Sequence, residues 1–243
     1  MSGGDQAAGG FVAESFGGTS DECCGHGREG RCWSARQVKR RWQDGRMPLP
    51  EPTTHDWSRE HDPEHLRLIR ENPARYAPTG TRHLILEVLA YAADEAEDRG
   101  AGRAVVEFHP DGSVSVSDDG RGTQMAVGDD GRPVRKPVMA TKDFRYFDSP
   151  PATPLPDGHP RYGMSVVAAL SEWLVHTNRR AEGAWTQRYR HGVPAGELVA
   201  VPSDGTTGTT VRFLPAAGLG GEVSAESVRP LAERLSRVLA VEV

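Results

Sequence analysis

The chain has 243 residues, 37% of them hydrophobic, and a formal net charge of −5. That is enough for one sizeable core, and the acidic balance excludes a global electrostatic pull toward nucleic acid or an anionic membrane. No apolar run reaches the length of a membrane span and the N-terminus lacks the apolar core of a signal peptide, so a cytoplasmic protein is expected.

From Met1 to about Ser20 the chain is rich in Gly, Ala and Ser and is expected to be mobile. Cys23, Cys24, His26 and Cys32 follow as potential soft ligands. Zinc prefers two separated ligand pairs, and adjacent cysteines cannot easily face one ion, so free thiols fit this spacing better than a zinc site. The basic run Arg36–Trp42, with Trp33 nearby, suits either phosphate contact and base stacking or packing on the domain or on a second copy of the chain. The acidic whole favours packing. Met47 to Pro63 reads as a Pro- and Glu-rich linker.

A helix is expected from about Thr81 to Asp98. Ile85, Leu89, Ala92 and Ala96 make one apolar row, and Glu87, Tyr91, Asp94 and Asp98 a second row at steps of four, three and four. A carboxylate so near the apolar face implies that solvent or a site meets it. Next come a strand at Ala104–His109, a turn at Pro110-Asp111-Gly112, and a return strand with Val114 and Val116 alternating with serines. That strand runs into Asp118-Asp119-Gly120-Arg121-Gly122, where the glycines allow a sharp turn that leaves a carboxylate at a pocket rim. Such a carboxylate can accept a hydrogen bond from an exocyclic amine like that of adenine; alone, the motif reads equally as a solvated turn.

Residues 123–163 show little periodicity, and Ser149–Gly158 reads as a loop. A helix is expected at Met164–Leu174 with Val166, Leu170 and Trp173 buried, then strands at Trp173–Asn178, Ala184–His191, Glu197–Pro202 and Thr209–Leu214. A last helix is expected at Ala225–Leu239.

The helix, hairpin and Asp-Asp-Gly-Arg-Gly together resemble the N-terminal ATPase domain of the DNA gyrase B protein, in the GHKL ATPase superfamily. Further segments resemble the family in the same order: His65–Tyr76, Gly163–Ser171, His191–Pro194 and Thr207–Pro215. The resemblance implies an α+β fold, a two-layer α/β sandwich of GHKL type with a mixed, largely antiparallel sheet and helices on one face. It divides the chain into an arm and linker at 1–62 and an ATP-binding domain at 63–243. It assigns Glu87 as the general base that polarises the attacking water, and Asp118, with Gly122 and Thr209, as the adenine site. Asp94 and Gly163 complete the expected nucleotide contacts, while Arg121 and Glu95 match a pair that holds the loop against the helix.

Three departures accompany the matches. Tyr91 stands where the family has a magnesium-ligating asparagine, and a neutral phenol is a poor ligand for an ion that demands compact octahedral oxygens; Asp94 is a weak substitute. ATP is thus the expected cofactor, with Mg2+ in question and no metal ligand assigned. The family's glycine-rich phosphate lid becomes Gly158-His159-Pro160-Arg161-Tyr162-Gly163, in which Pro160 has no N–H to offer and Arg161 and Tyr162 replace small residues. The resemblance also ends where the family's transducer domain, which supplies a lysine to the terminal phosphate, is expected to begin. The expected function is a gyrase-B-like domain that binds adenine nucleotide with slow or lost hydrolysis, and that cannot supercoil DNA alone. One alternative is an active ATPase, as a homodimer or within a topoisomerase-like assembly. Another is an interaction protein whose pocket Tyr91 plugs. DNA contact through the basic arm is weakly supported, and no membrane partner is expected.

Overall fold

The structure is a computed structural model that describes residues 54–56, 60–127, 133–135, 137–147, 154–220 and 223–243. The cysteine cluster, the basic run with its tryptophans and the start of the loop after Ser149 lie outside the described residues. The chain from Thr54 to Val243 forms one compact unit, which begins ahead of the expected boundary at 63. His55 is buried and its Nδ1 lies 3.2 Å from the Thr141 hydroxyl.

The helices are α1 (Pro63–Glu71), α2 (Pro73–Tyr76), α3 (Thr81–Arg99), α4 (Phe144–Phe147), α5 (Met164–Ala169) and α6 (Ala225–Ala232). The strands are β1 (Gly102–Phe108), β2 (Val114–Asp118), β3 (Met125–Val127), β4 (Pro133–Arg135), β5 (Ser171–Arg180), β6 (Gly183–Arg190), β7 (Val193–Pro194), β8 (Val199–Val201), β9 (Gly208–Pro215) and β10 (Leu239–Glu242). Asp62 caps α1, its carboxylate accepting the N–H of His65, and Pro63 occupies the first turn, where its missing N–H costs nothing. Pro73 then separates α1 from α2 because the residue before a proline disfavours helical geometry.

Eight strands form one sheet in the order β10-β1-β2-β9-β5-β6-β7, with β8 also on β6; β3 and β4 pair separately. Every pairing in the large sheet is antiparallel except β1 with β10. The register puts Val116 between Val106 and Val211, and Phe213 between Val114 and Leu174, so these side chains share one face. That face meets Ile85, Leu89, Ala92 and Ala96 of α3 in the principal core. Truncating a fully buried member such as Leu89 to alanine is expected to cost about 2–5 kcal/mol. The α+β sandwich with a largely antiparallel sheet is therefore the observed architecture.

Helix α3 is buried on almost every side from His83 to Ala90. One side faces the sheet; Leu86 and Ala90 meet Leu155 in a second, smaller core against which Leu231 and Leu235 pack. Two elements differ from expectation. Helix α5 stops at Ala169, and Ser171 already belongs to β5, so Trp173 projects opposite the buried Leu174. Its ring lies 5.6 and 5.8 Å from the guanidinium carbons of Arg188 and Arg212 instead of in the core. The last helix ends at Ala232, with Pro230 in its final turn, and Leu239–Glu242 adds a parallel strand beside β1.

Candidate functional site

The candidate residues form two clusters, one at the end of β2 and one along α3. At the first, Asp118 closes β2. Its Oδ1 accepts the Gly120 N–H at 2.8 Å and the Thr209 N–H at 3.3 Å, while Oδ2 accepts the Thr209 hydroxyl. Burial pushes the Asp118 carboxyl above the usual range, and the Thr209 and Gly120 bonds only partly offset it. The loop beyond is pinned by Asn178, whose amide accepts from Thr123 N–H and donates to Thr123 C=O, both at 2.8 Å. Gly122 has a φ of +80°, and a Cβ there would sit 2.6 Å from Asn178 Oδ1, so only glycine fits the turn. Arg121 reaches back to Glu95 at 2.7 Å and Asp98 at 3.2 Å. This is the pair expected to hold loop to helix; at the rim it contributes little to stability.

The second cluster lies along one stripe of α3. His83, Glu87, Tyr91 and Asp94 follow one another at steps of four, four and three, and the segment 157–163 is strapped along them. Asp157 Oδ2 lies 2.7 Å from His83 Nδ1 and accepts the Thr79 hydroxyl at 2.8 Å. Glu87, 0% exposed, accepts the N–H of Tyr162 at 2.5 Å and of Gly163 at 2.9 Å, one on each oxygen. His83 Nε2 stands 3.5 Å from Glu87 on its other side. Arg161 Nη1 donates to Asp94 at 3.0 Å. Gly163 adopts a φ of +95°, and a Cβ on it would lie 2.8 Å from the Tyr91 hydroxyl. Pro160 is exposed and bridges to Pro154.

Burial alone would lower the His83 pKa, but the Asp157 and Glu87 carboxylates outweigh it and push the imidazole up to about 9. Its partner Asp157 is held down at about 2: burial opposes this, and the His83 and Thr79 bonds overcome it. The strap is thus fastened by charge at neutral pH.

Tyr91 is fixed by its neighbours. Its hydroxyl donates to Asp143 at 2.9 Å, and the Arg161 guanidinium lies 4.5 Å from its ring centroid and 4.7 Å from that of Tyr146. Asp143 also takes Arg145 at 2.8 Å and lies 3.5 Å from His55 Nε2. Burial would raise the Asp143 carboxyl, yet the bonds from His55 and Arg145 hold it well below the usual range. These residues do not fit the magnesium ion that the resemblance implies: the phenol is committed to Asp143, and a guanidinium lies over its ring. No group of three or more His, Cys, Asp or Glu among the described residues is arranged to hold a metal ion.

The structure therefore brings Asp118, Gly122 and Thr209 together, and separately Glu87, Tyr91, Asp94, Arg161, Tyr162 and Gly163. Sequence reasoning missed His83, Asp143 and Asn178. For His83 the signal was present, since one more step of four back along the stripe from Glu87 reaches it. Asp143 lies in the aperiodic interval and had none.

An open, mostly antiparallel sheet carrying helices on one face is the architecture of the GHKL-type fold. The chain resembles the B subunit of DNA gyrase from Mycolicibacterium smegmatis, with 38% identity over 154 residues, 62% of this chain and 23% of the relative. It is 34% identical to the corresponding gyrase protein of Synechocystis over 158 residues, 63% of this chain and 15% of that one. It is 29% identical to the B subunit of DNA topoisomerase 4 from Staphylococcus epidermidis over 177 residues, 71% and 27% of the two chains. The chain thus spans about a quarter or less of these relatives. Among solved structures, the topoisomerase IV ATP-binding domain of Francisella tularensis, in complex with a small-molecule inhibitor, superposes with a TM-score of 0.56. It has 23% identity and covers 69% of this chain and 46% of that one, and so bears on the fold. No family model matches. No described helix is long and apolar enough to cross a membrane.

Proposed function

We propose that this chain is a gyrase-B-like module that holds adenine nucleotide at Asp118, Gly122 and Thr209, and that hydrolyses ATP slowly or not at all. The observation that carries the reading is the state of Glu87. Both of its oxygens accept backbone N–H groups from the strap, and the side chain is fully buried. A general base acts only within hydrogen-bond reach of the water it polarises, and here the strap occupies that reach. The same amides are spent on a carboxylate and are withheld from phosphate. Loss of one preorganised contact of this kind lowers a rate by about 10²–10³-fold, and here base, lid and metal ligand are all altered.

The adenine end retains what recognition requires. Asp118 is an acceptor fixed by Thr209 and Gly120 beside a loop clamped through Asn178. The sequence similarity to the gyrase and topoisomerase IV relatives supports ATP as the ligand. On this reading the protein is cytoplasmic, and a dimer or a topoisomerase-like partner is the natural setting. Calorimetry with a non-hydrolysable ATP analogue, paired with phosphate release from ATP and magnesium, tests it. Saturable binding without release is expected; release well above background overturns the hydrolytic half, and absence of binding overturns the whole.

A second reading is an interaction protein with a filled pocket. The packing of Arg161 over Tyr91 and against Asp94 favours it, because these side chains occupy the stripe beside Glu87. Absence of nucleotide binding would select it.

A further inference from the structure

We infer that Arg161 takes the place of the divalent cation at this site, so that a guanidinium meets the phosphate of a bound adenine nucleotide without a metal ion. This rests on the nucleotide reading above and goes beyond it in naming the group that recognises phosphate.

Three observations converge. The guanidinium lies 4.5 Å from the ring of Tyr91, the residue that stands where the resemblance expects a metal-ligating amide. A second positive charge placed there would be repelled by the first, while the rings of Tyr91 and Tyr146 favour a planar cation. Next, Arg161 is 8% exposed, yet its Nε has no hydrogen-bond partner among the described residues; Nη1 donates to Asp94 at 3.0 Å, and Nη2 lies 2.9 Å from the second Asp94 oxygen without an aligned bond. A guanidinium carries five donors in a fork that matches phosphate, so the side chain retains donors that the protein does not use. Third, the partner that holds it is replaceable. The Asp94 side chain is 47% exposed and can be rehydrated when the guanidinium turns to another anion. The neighbouring Arg145 is no substitute, being bound to the buried Asp143 through Nε at 3.0 Å and Nη2 at 2.8 Å.

Asp94 is then the internal stand-in for phosphate, and the two compete for one cation. The test is calorimetry of the full chain with adenosine and with ADP, each in EDTA and in magnesium. Wild type, Arg161→Met, Asp94→Asn and the double variant are compared. ADP is expected to bind wild type about tenfold or more tighter than adenosine, the scale of one charge-assisted hydrogen bond, and equally with EDTA or magnesium. Arg161→Met should erase that preference while keeping adenosine affinity. Asp94→Asn should strengthen ADP but not adenosine, and only while Arg161 is present; a gain that persists in the double variant would be simple relief of charge repulsion and would overturn the competition. ADP binding that requires magnesium, or a preference that survives Arg161→Met, overturns the inference. If Arg161→Met fails to bind adenosine, the metal comparison on wild type and the Asp94→Asn result decide. Adenosine binding with no ADP preference in wild type removes this inference alone; binding of neither ligand removes the nucleotide reading with it.

Discussion

One buried imidazole joins the strap to the helix: His83 lies 2.7 Å from Asp157 through Nδ1 and 3.5 Å from Glu87 through Nε2. Because the ring is cationic between two carboxylates, it fixes the position of the strap and, through it, the state of Glu87.

Stability should follow that charge. The folded pKa of His83 is raised from 6.5 to about 9, so its contribution is complete below about pH 6.5 and is lost as pH rises through 9. Asp157 is lowered from 3.8 to about 2, so its contribution is complete above about pH 3.8 and is lost as pH falls through 2. Thermal unfolding between pH 6.5 and 9.5 should register a loss on the order of 3 kcal/mol, the size of the His83 shift. Asp157→Asn should flatten that dependence; an unchanged slope would show that the imidazole is not charged in the folded protein.

Gly163→Ala should destabilise the domain by two separable effects. The positive φ costs a non-glycine residue about 1–3 kcal/mol, and the new methyl would sit 2.8 Å from the Tyr91 hydroxyl. Tyr91→Phe removes that oxygen, so the double variant should recover the steric part in a denaturation cycle and leave the backbone part. Additive losses would mean that the two residues do not touch.

Asp118→Asn should separate binding from folding. A carboxyl whose pKa burial has raised is a cost to the folded state while ionised, a cost relieved as pH falls, so replacing it by a neutral amide should leave the stability of the empty domain nearly unchanged. Adenosine affinity should fall by about 1.5–3 kcal/mol, the worth of a charged acceptor. Equal affinity in calorimetry would place the ligand elsewhere.

Much of the frame was legible because its signals are local. The apolar row of α3 places the helix at about Thr81–Asp98, and the structure has it at Thr81–Arg99. The Val114/Val116 alternation ran into Asp118 at the strand end, where the structure has it. What escaped depends on partners distant in sequence. The strap has no periodicity of its own, and its anchors reach 74 to 76 residues back, from Asp157 to His83 and from Tyr162 and Gly163 to Glu87. The strap adds its cover to that of the sheet and of Leu155, and together they bury α3 from His83 to Ala90, which an amphipathic pattern cannot announce. The expected last helix runs to Leu239 and leaves Ala240–Glu242 without an element; only the neighbouring β1 makes Leu239–Glu242 a strand.

The most direct measurement is amide hydrogen exchange at Tyr162 and Gly163 in the nucleotide-free protein at neutral pH. With both N–H groups bonded to a buried Glu87 carboxylate, they should exchange slowly, and Glu87→Ala should release them. Exchange at the rate of an exposed loop in the unaltered chain would mean that the strap stands open, with Glu87 available to water.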